Sequence, residues 1–208
     1  MPDAPPIRHA LKIELANFWY YGEEQLNPPT EYNGGRTQYV WPAIGSNAAY
    51  NESAKASNAG YTGTNRFVAP GALLAIPSAA AEEVATTTLI GAKIKRAMID
   101  YGGYIVDGSG HGTGAHPHHN LAAICMDAEV NAEMREHYNI SMAYPHGVAN
   151  PKLGGVDQSK AADAIYTDIL HIFQALHAVS NNAPGSVGGG GKPRVPRKPP
   201  ICGAPPER

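Results

Sequence analysis

"IRHALKIEL", residues 7–15, decides the fold class of this chain because its side chains alternate in character. In an extended chain, every second side chain lies on the same face. One face of this segment carries Ile7, His9, Leu11, Ile13 and Leu15, and the other carries Arg8, Lys12 and Glu14. Such alternation predicts a half-buried β-strand, which the aromatic run "NFWYYG", residues 17–22, continues.

Further segments on the C-terminal side of this strand are also predicted to be extended. They are "TQYVWPA" (37–43), "GALLAIP" (71–77), "GYIVD" (103–107) and "LAAICMDA" (121–128). Pro42 ends the first of them, because proline cannot donate a hydrogen bond to a neighbouring strand. Residues 45–66 are rich in Asn, Gly, Ser and Ala, and they are predicted to form a long surface loop.

Two longer segments have the apolar spacing of amphipathic helices. In residues 80–102 the stripe ends at Gly102, a residue suited to capping a helix, and consists of Ile90, Ile94, Ala97, Met98 and Tyr101. In residues 159–179 the stripe follows Ser159 and consists of Ile165, Ile169, Ile172, Phe173, Leu176 and Val179. A shorter amphipathic helix is predicted over residues 129–138.

These elements mix strands and helices without a regular strand–helix–strand alternation. The sequence therefore predicts an α+β fold, in which helices pack on an antiparallel β-sheet or sandwich. Residues 1–180 are expected to form one globular domain. Residues 181–208 are rich in Gly and Pro, and they are predicted to form an extended arm.

The charge balance and hydropathy exclude several classes of partner. The 208 residues carry a net charge of -2, which provides no electrostatic field for nucleic acid. No apolar run approaches the roughly 20 residues that a membrane-spanning helix needs. The first residues, "MPDAPP", lack the basic and apolar regions of a signal peptide. One interpretation is that the chain is a mature fragment of a longer secreted precursor.

A histidine-rich segment, "DGSGHGTGAHPHH", spans residues 107–119. Imidazole is the commonest transition-metal ligand, and two or three histidines with a carboxylate suit zinc or copper. The candidate ligands are Asp107, His111, His116 and His118. Because the surrounding glycines do not preorganise these ligands, the alternative is a surface loop without chemistry, and no cofactor is the first expectation.

The same segment has a local likeness to subtilisin-like proteases. "GHGT" would supply His111 as the base, and "NISMAYPHGVA" (139–149) would supply Ser141 as the nucleophile, with Asp100 as the orienting carboxylate. Only about 30 residues separate His111 from Ser141, whereas that fold needs a much longer chain between the two. The likeness is therefore interpreted as coincidental, and no catalytic residue is assigned.

Aromatic residues in the first third of the chain form a candidate ligand-binding set. Sugar rings stack on exposed aromatic faces, because their C–H groups meet the negative face of the π system. The candidates are Trp19, Tyr21, Tyr39, Trp41 and Tyr61. The alternative is that these aromatic side chains pack in the core and use their polar atoms for hydrogen bonds.

Cysteines and glycosylation motifs favour an extracellular setting. A disulfide between Cys125 and Cys202 would fasten the C-terminal arm to the domain and contribute roughly 3–4 kcal/mol. The alternative is two thiols. Asn51 and Asn139 each begin an N-glycosylation motif.

The segments "HALKIEL", "WPA", "GALLAIP" and "YGGYIVD" occur in this order across roughly residues 7–107. In this arrangement they resemble an uncharacterised domain of secreted and cell-surface proteins of bacteria and microbial eukaryotes. The resemblance implies an extracellular or cell-surface location, similar to that of modular carbohydrate-active proteins. It implies no particular activity.

Together these patterns predict a secreted structural or carbohydrate-binding domain, with a glycan or another copy of itself as partner. An extended arm can add to a neighbouring sheet, so self-assembly into a homo-oligomer or filament through residues 181–208 is part of this hypothesis. The alternative hypothesis is an extracellular hydrolase of glycan or peptide that uses residues 107–119, with or without a metal.

Overall fold

The described part of the chain folds into a five-stranded sheet with two α-helices. The structure is a computed structural model, and it describes residues 6–24, 26, 38–46, 61–108, 122–125, 136 and 158–182. Its strands are β1 (Leu11–Leu15), β2 (Leu73–Ala75), β3 (Gly103–Gly108), β4 (Ala122–Cys125) and β5 (His177–Ala178). Its α-helices are α1 (Leu89–Asp100) and α2 (Gln158–Gln174), and two 3-10 helices span Asn17–Trp19 and Ser78–Ala80.

The sheet is mixed, with the strand order β4-β1-β3-β2-β5. β1 and β3 are parallel, so that Ile13 lies opposite Ile105, whereas the other neighbouring strands are antiparallel. The α+β class is confirmed, but the sheet is mixed, whereas an antiparallel sheet or sandwich was expected. Parallel neighbours need a long connection between them, and the chain between Leu15 and Gly103 provides it.

One face of the sheet carries the core, as the alternation in β1 predicts. Its three apolar side chains are buried, and Lys12 on the other face is exposed. Ile13 belongs to the same buried cluster as Ile94 and Met98 of α1 and Ile172 of α2, so both helices cover this face. His9 was expected on this face but is exposed, because it lies just before β1 begins.

Capping residues set the limits of α1. The predicted helical pattern started at residue 80, but the helix begins at Leu89, after a Thr88 N-cap whose hydroxyl accepts a hydrogen bond from Gly91 N at 2.9 Å. At the other end Gly102 has a φ of 70°, and its N–H bonds the Ala97 carbonyl at 3.0 Å. The predicted glycine cap is therefore confirmed.

Residues 38–43, predicted as part of a strand, form no strand in the structure. The N–H of Ala43 instead bonds the Val40 carbonyl at 3.0 Å, which closes a turn around Trp41 and Pro42. Proline is suited to a turn position because its φ is already restricted. The prediction placed Pro42 at the end of a strand, whereas it lies within a turn.

α2 ends at Gln174, earlier than the predicted residue 179, and the chain then forms β5 at the edge of the sheet. Beyond β5, the Asn182 side chain donates hydrogen bonds to the carbonyls of Trp41 at 3.1 Å and Gly71 at 3.2 Å. The folded body thus reaches at least Asn182, and residues 183–208 lie outside the described residues.

The helix predicted over residues 129–138 also lies outside the described residues, apart from the helical Glu136. Within the described ranges, neither helix is both long and apolar enough to cross a membrane.

Candidate functional site

The C-terminal end of β1 lies next to two of the predicted site residues, Trp19 of the ligand-binding set and Asp107 of the metal-ligand set. Leu15 pairs with Gly108 at the end of β3 and with Ala122 at the start of β4. The segment 109–121, which lies outside the described residues, is thus flanked at both ends by partners of Leu15. The chain leaves β1 here and turns immediately into the 3-10 helix.

This turn exposes two adjacent aromatic side chains. Phe18 is 42% exposed and Trp19 is 51% exposed, and their ring centroids lie 5.5 Å apart with a 37° angle between the planes. The two rings therefore form a tilted aromatic surface, here named the Phe18–Trp19 pair. Trp19 N bonds the Ala16 carbonyl at 2.9 Å, which holds the turn closed.

Two buried tyrosines support the turn from inside. The rings of Tyr20 and Tyr61 stack with centroids 4.5 Å apart and an interplanar angle of 22°. The Tyr20 hydroxyl donates to the Asp107 carbonyl and accepts a hydrogen bond from Leu15 N at 3.4 Å. Burial, with smaller effects from neighbouring acidic groups, raises the pKa of Tyr20, so it remains a neutral phenol that can donate.

The backbone around the Phe18–Trp19 pair is held by a second segment. Gly63 N bonds the Tyr20 carbonyl at 2.7 Å, and Gly22 N bonds the Gly63 carbonyl at 2.9 Å. A Cβ on Gly63 would collide with the carbonyl oxygen of Trp19, and it would lie 2.8 Å from that of Tyr20. Only glycine lets residues 61–68 approach this closely, so the aromatic turn rests on a tightly fitted backbone.

The structure divides the predicted ligand-binding set by burial. Trp19 is exposed, and Tyr39 and Trp41 are half-buried. Tyr21 and Tyr61 lie near Trp19 but are buried in the core, so their ring faces are not available to stack on a ligand. The alternative interpretation of a core aromatic therefore applies to these two tyrosines.

Phe18 was missed by the sequence-based set. In the run "FWYY" the outward and inward side chains could not be assigned from alternation, because the 3-10 helix changes the period after Leu15. Phe67 was also absent from the predicted set. It is exposed on residues 61–68, here named the supporting segment because they hold the aromatic turn, and its N–H bonds the Asn65 side chain at 3.1 Å.

The predicted metal ligands are not brought together by the described residues. Asp107 lies at the end of β3, where its side chain accepts a hydrogen bond from Gly108 N at 2.7 Å. His111, His116 and His118 lie outside the described residues. Within the described ranges, no three His, Cys, Asp or Glu side chains come together in a group that could hold a metal ion.

Cys125 lies on the edge strand β4, with its Sγ donating to the Glu14 carboxylate at 3.0 Å. Burial, and then the hydrogen bond and charge of Glu14, raise the pKa of the Cys125 thiol to about 11. Cys202, Asn51 and Asn139 lie outside the described residues. The predicted disulfide and glycosylation sites therefore stay predictions.

Comparison with protein-family models, with curated proteins and with solved structures found no match in any of the three searches.

Proposed function

We propose that this chain is a carbohydrate-binding domain whose binding surface is the Phe18–Trp19 pair. The observation that carries the proposal is the exposure of two adjacent aromatic rings on a turn that is hydrogen-bonded on both sides. The Tyr20–Tyr61 stack fixes the base of this turn, so the rings are presented by a rigid support.

Exposed aromatic rings of this kind favour a binding role on energetic grounds. Covering the exposed half of one such ring, on the order of 100 Å², would contribute about 2–3 kcal/mol to the free energy of binding. Because the supporting backbone is already ordered, little further conformational entropy is lost on binding. Aromatic residues on a rigid support are the typical anchors of binding surfaces.

The neighbouring charges favour a glycan over a nucleic acid. Glu23 and Glu24 follow the aromatic turn and are exposed, and Glu24 pairs with Arg66 at 3.8 Å. Carboxylates repel phosphate backbones, whereas they accept hydrogen bonds from sugar hydroxyl groups. Asn65, next to Arg66 on the supporting segment, offers an amide of the kind that also bonds hydroxyls.

Tryptophan fluorescence tests the proposal directly, because the chain contains only Trp19 and Trp41. In a Trp41→Phe variant the emission reports on Trp19 alone. We expect soluble oligosaccharides of cellulose, chitin, xylan or β-1,3-glucan to shift this emission in a saturable way. The converse Trp19→Phe variant, which reports on Trp41, should show little change with the same sugar.

Affinity measurements on matched variants then locate the binding surface. For the sugar that shifts the emission, Trp19→Ala should weaken binding by at least about tenfold, which corresponds to roughly 1.4 kcal/mol. Trp19→Phe should retain part of the affinity, because it keeps an aromatic face. Leu170→Ala, which truncates an exposed apolar side chain on α2, is the control and should bind as the unmodified protein does.

Two results would overturn the proposal. One is the absence of any saturable response to the oligosaccharide panel. The other is a Trp19→Ala variant that is folded by circular dichroism and binds with unchanged affinity, which would place sugar binding elsewhere on the chain.

A further inference from the structure

A groove of about 420 Å³ lies between the chain that precedes α1 and the C-terminal end of α2, away from the Phe18–Trp19 pair in the sequence. Its polar lining comes from Glu83, His171, Gln174 and His177, and its apolar lining includes Val84. The volume falls within the range of small-molecule sites, roughly 300–1,000 Å³. The groove is open to solvent, so a ligand could enter without rearrangement.

Hydrogen bonds hold the walls of this groove in place. Lys95 Nζ donates to the Val84 carbonyl at 2.7 Å, and His171 Nδ1 contacts the Ala85 carbonyl at 3.2 Å. Just beyond, Thr87 N donates to the buried Asp168 carboxylate at 2.8 Å. The segment 84–87 is therefore tied to both helices, and the lining is preorganised for a ligand.

The contact between His171 and Ala85 determines the tautomer of the imidazole. A carbonyl oxygen only accepts hydrogen bonds, so Nδ1 of His171 must carry the proton. In the neutral ring Nε2 is then an acceptor. The lining residues thus include three side chains that can accept a hydrogen bond, those of His171, Glu83 and Gln174, and the Gln174 amide can also donate.

The groove also carries negative charge, which favours a positively charged ligand. Glu83 supplies a negative charge, and Gln174 ends α2, where the helix dipole places partial negative charge. Among the described residues that line the groove there is no lysine or arginine, and the ammonium of Lys95, outside the lining, donates to the Val84 carbonyl. A primary ammonium group carries one positive charge and three N–H donors, which complements this combination of charge and acceptors.

We propose that this groove binds a small molecule through a protonated primary amine, with Glu83 as its principal counter-charge. Val84 and the alanines beside it would contact the carbon skeleton of the ligand. A metal ion is the less favoured occupant, because no three His, Cys, Asp or Glu side chains of the described residues, Glu83, His171 and His177 included, form a group that could hold one. The proposal does not depend on carbohydrate binding at the Phe18–Trp19 pair.

A matched series of three sugars tests the role of the amine. Glucosamine, N-acetylglucosamine and glucose differ at one position, which carries an ammonium, an amide or a hydroxyl group. We expect glucosamine, added to isotope-labelled protein in phosphate buffer, to shift the amide resonances of Ala85, His171, Gln174 and His177. The other two sugars should leave these resonances unchanged at the same concentrations.

Charge variants identify the counter-ion. Glu83→Gln should weaken glucosamine binding at these resonances by at least about tenfold. Glu82→Gln removes the same charge from the adjacent residue, which does not line the groove, and should bind as the unmodified protein does. Trp19→Ala should also leave the groove shifts intact, which separates this site from the Phe18–Trp19 pair.

Several results would overturn the proposal. Equal shifts from glucose or N-acetylglucosamine would indicate recognition of hydroxyl groups, and no shift with glucosamine would indicate an unoccupied surface groove. Unchanged binding by Glu83→Gln would show that Glu83 is not the counter-charge of the amine. Saturable perturbation of the same resonances by zinc ions, without any by glucosamine, would indicate a metal site instead.

Discussion

The carboxylate of Asp168 in α2 accepts a hydrogen bond from the Thr88 hydroxyl at 2.6 Å and from Thr88 N at 2.8 Å. Its other oxygen accepts from Thr87 N at 2.8 Å and from the Thr87 hydroxyl at 3.2 Å. A fully buried acid on one helix therefore caps the N-terminus of the other, where the helix dipole favours negative charge. The helices α1 and α2 are therefore joined by these polar contacts as well as by the apolar core.

Removing this carboxylate should destabilise the protein strongly. Asp168→Ala leaves the partly buried N–H groups of Thr87 and Thr88 without their charged acceptor, and we expect a loss of about 3 kcal/mol in the free energy of unfolding. Urea unfolding followed by circular dichroism measures the loss. Asp163→Ala, which truncates an exposed aspartate on the same helix, is the control. Similar losses in both variants would contradict the interpretation.

Acid should weaken the same contact. Burial by itself would raise the pKa of Asp168, but the hydrogen bonds from Thr88 and Thr87 outweigh it and hold the pKa below its ordinary value. Because the folded pKa lies below the unfolded value of about 3.9, protonation favours the unfolded chain. The stabilisation is present above that value and is lost as the pH falls through the folded pKa.

Urea midpoints measured between neutral pH and strongly acidic pH test this dependence. The stability difference between the unmodified protein and Asp168→Asn should be constant near neutral pH and should shrink below about pH 4. The other carboxylates act on both proteins alike, so the difference isolates Asp168. A difference that stays constant down to the most acidic pH would count against the assignment.

Gly91 should behave unlike an ordinary helical glycine. In an exposed helix, replacing glycine by alanine stabilises by about 1 kcal/mol. Here a Cβ on Gly91 would collide with Asp168 and lie 2.6 Å from its Cβ, so Gly91→Ala should destabilise. In an Asp168→Ala background the obstacle is smaller, and the same substitution should become less harmful. Additive effects in this double-mutant cycle would argue against the contact.

The Cys125 thiol should react slowly with alkylating reagents. With a pKa of about 11, its thiolate fraction near pH 8 falls by about two orders of magnitude relative to an ordinary cysteine. The rate is measured in a Cys202→Ser background, so that one thiol reacts. Glu14→Gln should speed the reaction only in part, since burial is the larger cause.

Lys12 offers a test of opposite sign at the same thiol. Its positive charge lowers the pKa of Cys125, against the effect of Glu14. Lys12→Gln should therefore slow alkylation further. Faster reaction in both Lys12→Gln and Glu14→Gln would indicate that the substitutions open the edge of the sheet, and that electrostatics does not control the rate.

Local pattern was enough to predict much of the fold. Alternation predicted the buried face of β1, and helical spacing predicted the buried stripes of α1 and α2. Gly102 was predicted as a cap because few other residues adopt a positive φ readily. These features depend on residues close together in sequence, so a short stretch of sequence is enough to predict each of them.

The candidate site was predicted only in part. Trp19 was included in the binding set, but Phe18 was not, and Tyr61 was included although it stacks inside the core. An aromatic residue can pack in a core or present its ring to a ligand, and composition does not separate the two. Burial depends on which segments meet, and residues 61–68 meet Tyr20, Tyr21 and Gly22 only in the tertiary structure.

Asp168 illustrates how a recognisable pattern was overlooked. It lies on the apolar stripe of α2, three residues after Ile165 and four before Ile172, a spacing that places an acid on the core-facing side of the helix. That position was a sign of a buried polar partner. Its identity could not be read locally, because Thr87 and Thr88 lie about 80 residues earlier.

The sequence by itself determined the buried face of β1 and the buried stripes of α1 and α2, because those properties follow from backbone period and side-chain hydropathy. Only the tertiary structure decided that β1 pairs in parallel with β3, that Asp168 caps α1, and that Phe18 and Trp19 are exposed above two buried tyrosines. Each of these depends on contacts between distant segments, whose free energies are set by the packing of the whole domain.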